Sequence, residues 1–373
     1  MASYARKIPA VVIGGGQSGL AAARALLARG FRPVVLEAGA EPVGSWPQYY
    51  DSLKLFTPVR FNGLPGLPFP GHPDRFPSRD DVVAYLRAYA ASLDCEIRTR
   101  TRVESVLCEA AGFVVRSADG SVDRAPVVIS ATGEFSSPHR PDLGLGPFTG
   151  RVLHSCEYRA PEEFAGQRVV VVGAGNSGVQ IAVELAGHAR TTLASRRPPR
   201  IHRMVKPGQE DKRQYFWDVF ATLGRLPLGP LFFRKGEMAQ YVLDNVGGAS
   251  EALKARRPDA RPLFTAADGD TLTWRDGTRE HVDAVILATG FRPGREYLRT
   301  IGALDPAGRP RQWWGVSTTH PGLGYVGLFG QRALYTGSLG GAGWDADYVA
   351  RALRRKVVRR LATDEVRELS GIR

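Results

Sequence analysis

The sequence has little cysteine, with Cys95, Cys108 and Cys156 among 373 residues and no Cys-x-x-Cys pair. This spacing argues against a disulfide scaffold, a zinc finger and a dithiol redox centre. We expect the three thiols to be buried and reduced, in a reducing compartment. The seven histidines show no metal-ligand spacing, and no Ser/His/Asp constellation is present. We therefore predict no metal ligand and name no catalytic residue.

The chain also has no long apolar run. Its longest uncharged stretch, 312–331, contains glutamine, serine, threonine, histidine, proline and several glycines, and cannot span a bilayer. The N-terminus has no signal-peptide pattern, because its uncharged stretch 8–23 carries four glycines and ends on a helical pattern. We expect a soluble, cytoplasmic protein with no membrane partner.

Lysine is scarce, at 7 of the 50 basic residues, which leaves 43 arginines against 37 acidic residues and a formal net charge of +13. Together with 43 glycines and 26 prolines, this skew favours GC-rich codon usage over selection for a polyanion. The densest basic cluster, 196–200, is too short for a nucleic-acid tail. We predict no nucleic-acid partner, and the oligomeric state stays open.

What the sequence does contain is an internal repeat. The length exceeds one average domain of about 100–200 residues. An apolar run, 10–13, precedes Gly14-Gly-Gly16-Gln17-Ser18-Gly19 and an alanine-rich helix, and a second run, 169–172, precedes Gly173-Ala-Gly175-Asn176-Ser177-Gly178 and another helix. Ala131-Thr132-Gly133 begins 117 residues after the first glycine, and Ala288-Thr289-Gly290 begins 115 residues after the second.

The residue types of each glycine motif suit a dinucleotide. The first glycine allows a tight turn, the second lets a pyrophosphate approach the backbone, and the third allows close packing of helix on strand. The helix start then offers free N–H groups and a partial positive charge to the phosphates. We therefore predict an α/β fold with two doubly wound Rossmann-like nucleotide-binding domains.

The residues after each second strand distinguish the two nucleotides. Glu37 ends the first unit's second strand, and an acid there accepts hydrogen bonds from ribose hydroxyls and repels a 2′-phosphate. In the second unit Ser195, Arg196 and Arg197 take that place, and arginine forms fork-shaped, charge-assisted bonds with phosphate. The first site therefore suits FAD and the second suits NADP.

Other segments give weaker indications. Residues 49–73 hold many prolines and aromatics without periodicity, which is typical of a segment that wraps a ligand. Helices are predicted from Ser78 and over 345–359. Four aromatic or apolar segments could form either a core or a substrate wall: Tyr215–Trp217, 226–233, Trp313–Trp314 with His320, and Phe329.

A family resemblance appears in the segment that joins the two units. Phe148, Gly150, His154 and Tyr158 form the pattern F-x-G-x-x-x-H-x-x-x-Y, which resembles the identifying sequence of flavin-containing monooxygenases. Gly44-Ser45-Trp46 is similar to the Gly-Gly-x-Trp turn of that group. Segments 51–58 and 67–70 resemble those of the small bacterial enzymes and the plant auxin-forming flavin monooxygenases. The likeness covers nearly the whole chain.

The resemblance implies an FAD-binding domain at 1–160 and 291–373 and an NADP-binding domain at 161–290, so that the NADP domain is inserted into the FAD domain. It implies an NADPH-dependent monooxygenase that forms a C4a-(hydro)peroxyflavin and oxygenates a small organic substrate with O₂, at nitrogen, sulfur or a related centre. By likeness, the helix start at Gly340–Gly343 returns to the flavin ring, and His154 helps to place the domains. The candidate cofactor-binding residues are Gly14, Gly16, Gln17, Ser18, Gly19, Glu37, Ser45, Trp46, Thr57, Val103, Ala131, Thr132 and Gly133 in the first unit, and Gly173, Gly175, Asn176, Ser177, Gly178, Ser195, Arg196, Arg197, Ala288, Thr289 and Gly290 in the second.

The chain departs from the family pattern at one position, and two other functions also fit its motifs. Many relatives carry an asparagine near the flavin where this chain has Pro58, and Asn62 lies four residues further on. A two-nucleotide reductase that passes electrons to a protein such as ferredoxin also fits both glycine motifs. A flavoprotein that senses redox state without turnover fits them as well.

Overall fold

The computed structural model describes residues 7–146, 148–203, 219, 222–230, 241–244, 248–333 and 335–370. The helices are α1 Gln17–Leu27, α2 Arg79–Ala91, α3 Asn176–Leu185, α4 Ala249–Lys254 and α5 Ala342–Ser370. The strands are β1 Ile8–Ile13, β2 Phe31–Leu36, β3 Glu96–Arg98, β4 Val103–Glu109, β5 Gly112–Ser117, β6 Val122–Ala125, β7 Val127–Ser130, β8 Ser137–Pro138, β9 Arg151–His154, β10 Arg168–Val172, β11 Arg190–Ser195, β12 Arg200–Arg203, β13 Tyr241–Asp244, β14 Asp259–Pro262, β15 Ala266–Asp268, β16 Thr271–Thr273, β17 Arg279–His281, β18 Ala284–Leu287, β19 Phe291–Arg292, β20 Gln312–Trp313, β21 Val316–Ser317 and β22 Leu323–Tyr325. Within these ranges, no helix combines the length and apolar character needed to cross a bilayer.

The first sheet has the order β20-β21-β22-β7-β1-β2-β3. From β22 to β3 all neighbours run parallel, while β21 and β20 add an antiparallel edge. The chain thus leaves this sheet after β7 and returns to it at β20, reaching the parallel part again at β22. Because parallel strands end at the same edge, the turns after β1, β7 and β22 lie side by side.

The second sheet is formed by the chain between those two points. Its order is β14-β11-β10-β18-β9, with every pair parallel. The edge strand β9 belongs to this sheet, because its last residue, His154, pairs with Leu287 of β18. This strand comes before residue 161, where the predicted NADP-binding domain begins. Two parallel sheets, one inserted into the other, confirm the predicted fold class; the domain boundaries stay a prediction.

Each parallel sheet is covered on both faces. In the second sheet Val169 and Val171 face the core that includes α3, whereas Val170 and Val172 face Leu272 of the β15–β17 hairpins. All four valines are at most 2% exposed, and burying each contributes about 1.5–3 kcal/mol. The first sheet packs against α1, α2 and α5 on one face and contacts β4–β6 on the other. This explains why the strands are continuous apolar runs.

Helix α2 begins where the sequence predicts, directly after Ser78. The Ser78 hydroxyl accepts the Asp81 amide at 3.1 Å, and the Asp81 carboxylate accepts the Ser78 amide at 2.8 Å, which completes a capping box.

We expect Ser78→Ala to cost about 1 kcal/mol at this helix end, equivalent to about a fivefold rise in local opening. The measurement is amide hydrogen exchange in the first turn of α2. The matched control is Ser92→Ala at the other end, where the hydroxyl only donates to the Tyr89 carbonyl. Equal acceleration at both ends would contradict the cap as the cause.

Two predictions need correction, and one open choice between core and substrate wall is decided. Helix α5 runs over 342–370 rather than 345–359, and its apolar side packs on α1. The cysteines are free as predicted, but Cys108 is exposed near the solvent end of β4, and Cys95 and Cys156 are half-buried. Trp313 is 60% exposed and Phe329 49% exposed, so neither is a core residue.

Two of the open segments remain to be placed. Tyr215–Trp217 lie outside the described residues, as do 231–233. In the described part of 226–233, Leu226 and Leu228 are 46% and 38% exposed, so this part is not a tight core.

Candidate functional site

The first glycine turn joins β1 to α1 at the carboxyl edge of the first sheet. Gly14 has φ +104°, and a Cβ on it would lie 2.7 Å from the Ala131 carbonyl oxygen. A Cβ on Gly19 would lie 1.8 Å from the Gly14 carbonyl oxygen. Only glycine fits these two positions, since the obstacles are backbone atoms. The turn therefore lies against the end of β7, where the Ala131 amide donates to Ile13 at 2.8 Å.

Helix α1 begins at this turn with an open N-terminus. Its N-cap, Gly16, has no side chain to accept the first amides, and no acid stands in the first turn. The free amides of Gln17 and Ser18 and the helix dipole suit a phosphate. The Gln17 side chain is held from outside, because its Oε1 accepts the Trp46 indole N–H at 2.9 Å. The predicted Gly44–Trp46 turn thus packs on the glycine motif.

Glu37 closes the other side of this turn. Its carboxylate accepts the Gly15 amide at 2.5 Å and the Gly39 amide at 2.6 Å, and the residue is 9% exposed. Two of about four lone-pair directions are used, so acceptor capacity remains for ribose hydroxyls. Val103 is close to this end, because the Thr101 amide donates to the Glu37 carbonyl at 2.8 Å.

The second glycine turn repeats the backbone geometry of the first. Gly173 has φ +134°, and a Cβ there would lie 2.2 Å from the Ala288 carbonyl oxygen. A Cβ on Gly178 would lie 2.1 Å from the Gly173 carbonyl oxygen. A Cβ on Gly175 would meet no atom within 4 Å, so this face of the turn is open. The open face is where a pyrophosphate could approach the amides of Asn176 and Ser177.

The end of β11 carries the predicted 2′-phosphate residues. Arg196 and Arg197 are exposed, and neither guanidinium forms an ion pair with a described side chain. Ser195 is only 8% exposed, and its hydroxyl donates to the Arg197 carbonyl at 2.8 Å. The side chains of Arg196 and Arg197 are therefore accessible at this strand end, whereas the Ser195 hydroxyl is engaged within the loop.

The two Ala-Thr-Gly turns are tied to the chain segments that cross between the sheets. Thr132 donates its hydroxyl to the Gly294 carbonyl at 3.2 Å, and Thr289 donates to the His139 carbonyl at 2.5 Å. Gly133 and Gly290 both face open space. The crossing segments thus meet both predicted cofactor sites.

Arg295 is a residue of this region that the sequence interpretation missed. It is 4% exposed, and its Nη2 donates to the Gly133 carbonyl at 3.1 Å and to the Glu134 carboxylate at 2.5 Å. A buried arginine paired in this way fixes the turn after β7. Nothing in the sequence marks this residue beyond its position four residues after Phe291.

His154 lies where the linker meets the second turn. It is fully buried, the Cys156 amide donates to its Nδ1 at 3.3 Å, and its Nε2 lies 3.0 Å from the Gly290 carbonyl. Nε2 therefore carries the proton and donates it. Burial lowers the pKa of His154, so the ring is neutral. It holds Gly290 rather than exchanging protons with solvent.

The loop around Thr57 and Pro58 is held by Asn62. Asn62 is fully buried, accepts the Thr57 hydroxyl at 2.7 Å, and donates to the carbonyls of Thr57 and Pro58 at 2.9 and 2.8 Å. Both amide hydrogens are therefore used within the loop, and Asn62 does not replace the asparagine that relatives carry at Pro58. The start of α5 packs here, since a Cβ on Gly340 would lie 1.9 Å from the Phe61 carbonyl.

Within the described ranges, no group of three or more His, Cys, Asp or Glu side chains is placed to hold a metal ion. The glycine turns and their helix starts instead provide two places for dinucleotides. The residues present fit those groups, because close backbone packing forbids a Cβ at four of the motif glycines and Gly175 leaves an open face.

Comparison with known proteins gives consistent matches. Residues 11–214 match the pyridine nucleotide-disulphide oxidoreductase family. The chain is 33% identical over 347 residues to the uncharacterized oxidoreductase CzcO of Bacillus subtilis (strain 168), which covers 92% of this chain and 98% of that protein. It is 33% identical over 327 residues to the indole-3-pyruvate monooxygenase YUCCA1 of Oryza sativa subsp. japonica, at 79% and 80% coverage.

A solved structure is similar over the same length. The flavin-containing monooxygenase from Stenotrophomonas maltophilia superimposes with a TM-score of 0.76 at 30% identity. The match covers 93% of this chain and 98% of that one. The likeness thus extends through both sheets.

Proposed function

Because the chain belongs to the pyridine nucleotide-disulphide oxidoreductase family, among its flavin-dependent monooxygenases, we propose that it uses FAD, NADPH and O₂ to oxygenate a small organic substrate. The observation that carries the proposal is the difference between the residues at the end of β2 and those at the end of β11. Glu37, buried against the first glycine turn, suits a ribose without a 2′-phosphate. Arg196 and Arg197, exposed at the second, suit a ribose that carries one.

In this proposal the first sheet binds FAD. The amides at the start of α1 hold its pyrophosphate, Glu37 holds the ribose, and Trp46 fixes the Gln17 side chain beside the phosphates. Thr57 and the start of α5 lie on the loop that would face the flavin ring. A bound, reduced flavin would supply the activation of O₂ at this place.

The second sheet binds NADPH in the same manner. Asn176 and Ser177 begin the helix that receives the pyrophosphate, and the two arginines hold the 2′-phosphate. The crossing segments and His154 hold the two Ala-Thr-Gly turns relative to each other. The chain's own work is therefore to align two cofactors and to limit the access of water.

A set of exposed aromatic rings indicates the character of the substrate. Phe135 follows the first Ala-Thr-Gly turn, Phe291 follows the second, and Phe329 follows β22. The ring of Phe135 meets Phe291 and Phe329 edge to face, at centroid distances of 5.8 and 5.7 Å. Phe135 and Phe329 are 42% and 49% exposed, so we propose that they form an apolar substrate wall.

The proposal is tested by mixing FAD-loaded protein anaerobically with NADPH and then adding O₂. We expect the flavin to be bleached by NADPH and then to show the transient absorption of an oxygen adduct. Coupling of NADPH use to product, scored against hydrogen peroxide formed, should be highest for nucleophilic sulfur or nitrogen compounds with an aromatic group. Small hydrophilic amines should mainly release peroxide.

The other outcomes identify the alternatives. Direct return to oxidised flavin with no adduct and no oxygenated product supports a reductase, and faster turnover with ferredoxin would identify its acceptor. Absence of bleaching by NADPH contradicts both enzymes and favours a sensing flavoprotein.

A further inference from the structure

The segment 45–51, called here the interdomain bridge, connects the two helices that begin at the glycine turns. At one end, the Trp46 indole donates to the Gln17 side chain in the first turn of α1 at 2.9 Å. At the other end, the Tyr50 hydroxyl donates to the Gln180 side chain of α3. Contacts only four residues apart in the chain therefore reach both helices.

The Tyr50 end of the bridge is enclosed. Tyr50 is 3% exposed, and loss of water raises the pKa of its hydroxyl well above the ordinary value, so it stays protonated and can donate. The Ser177 side chain, in the first turn of α3, is close enough to this hydroxyl to offset part of that rise. Tyr50 thus lies beside a residue of the second glycine motif.

A second tyrosine supports the same helix face. The ring of Tyr158 lies 6.2 Å from that of Tyr50, and its hydroxyl donates to Glu184 at 2.8 Å. Gln180 and Glu184 are four residues apart and therefore share one face of α3. The two tyrosines hold this face at successive turns.

The bridge backbone is fixed from both sides. The Tyr49 carbonyl accepts Arg79 of α2 at 2.7 Å and Arg159 of the linker at 3.1 Å. The Asp51 amide donates to the Arg159 carbonyl at 3.0 Å. Because α2 packs on the first sheet and the linker leads into the second, the bridge cannot shift relative to either without breaking these bonds.

We propose that Tyr50 is a positioning residue for the second dinucleotide, holding Ser177 and Gln180 so that the start of α3 faces the first site. The inference rests on the proposed function, because it requires NADPH at this helix. A tyrosine needed only to fill the core would be replaced by phenylalanine without loss. A tyrosine that aligns the helix needs its hydroxyl, since the hydroxyl is what meets α3.

The test compares Tyr50→Phe with Tyr89→Phe in FAD-loaded protein. Tyr89 is a matched control, because it is fully buried in the first unit and its hydroxyl donates to the Pro65 carbonyl at 2.9 Å. We expect Tyr50→Phe to raise the NADP⁺ dissociation constant about five- to tenfold, as for the loss of one buried hydrogen bond. Titration calorimetry on the oxidised protein measures this without turnover.

Two further measurements separate alignment from general damage. FAD content and reduction by dithionite should match wild type in both variants, whereas the rate of flavin bleaching at saturating NADPH should fall only in Tyr50→Phe. Gln180→Met removes the acceptor from the helix side. The double variant should be no weaker for NADP⁺ than either single one, because both remove the same bond.

The outcomes are distinct. If wild type is bleached by NADPH but Tyr50→Phe binds NADP⁺ and is bleached equally well, the positioning role is wrong and the proposed function stands. Equal losses in Tyr89→Phe, or additive losses in the double variant, also overturn it. If wild type neither binds NADP⁺ nor is bleached by NADPH, the proposed function fails and this inference with it.

Discussion

Gly178→Ala is expected to abolish most reduction by NADPH while FAD stays bound. The added methyl carbon would lie 2.1 Å from the Gly173 carbonyl oxygen, so α3 must move away from β10. The obstacle is backbone and cannot rotate aside. Since a displacement of about 1 Å can cost about 100-fold in rate, we expect anaerobic flavin bleaching to slow at least that much.

The control for this substitution lies just past the other end of the same helix. Gly187→Ala places its methyl 3.5 Å from the nearest backbone oxygen, an ordinary contact, and Gly187 has no positive φ. Stopped-flow bleaching by NADPH and FAD content are measured in both variants. Normal bleaching in Gly178→Ala would show that the second glycine turn does not hold the nucleotide. Loss of FAD from Gly178→Ala would show that the substitution also disturbs the first nucleotide-binding unit.

Replacing Arg196 and Arg197 together by alanine is expected to remove the preference for NADPH over NADH. Each arginine can give charge-assisted bonds of about 1.5–3 kcal/mol to the 2′-phosphate, so we expect NADPH to bind about 100-fold more weakly. NADH lacks that phosphate and should change by less than about threefold. Dissociation constants for NADP⁺ and NAD⁺ with the oxidised protein measure the effect.

This prediction has an internal check and a control variant. Added salt should weaken NADP⁺ binding to wild type more than to the double variant, because salt screens exposed charges. Arg190→Ala removes an exposed charge from the opposite end of β11 and should leave the ratio of the two constants unchanged. An equal loss of NADP⁺ and NAD⁺ affinity in the double variant would contradict the 2′-phosphate assignment.

The positions of the arginines explain part of the net charge of +13. Part of the +13 lies at the end of β11, in arginines suited to one small polyanion, a nucleotide phosphate. Many other arginines are in surface ion pairs, such as Arg87 with Glu41 and Arg151 with Glu163. Exposed pairs of this kind are screened by water and contribute little to stability.

The sequence alone was sufficient to predict the features that depend on backbone geometry. Gly14, Gly19, Gly173 and Gly178 stand where a Cβ would meet the backbone, and such requirements leave a repeated pattern. The strands were readable because sheets covered on both faces need continuous apolar runs. The start of α2 was readable because Ser78 and Asp81 cap each other across three residues.

The contacts between distant segments were decided only by the tertiary structure. Tyr50 meets Gln180 across 130 residues, Arg295 meets Glu134 across 161, and β9 joins the second sheet ahead of its glycine turn. Asn62 turned out to hold its own loop, and Phe329 to lie on the surface. Backbone sterics allow only glycine at such positions and so leave a pattern in the sequence. A hydrogen bond between remote side chains leaves none, because many residue pairs could make it and only the packed chain selects one.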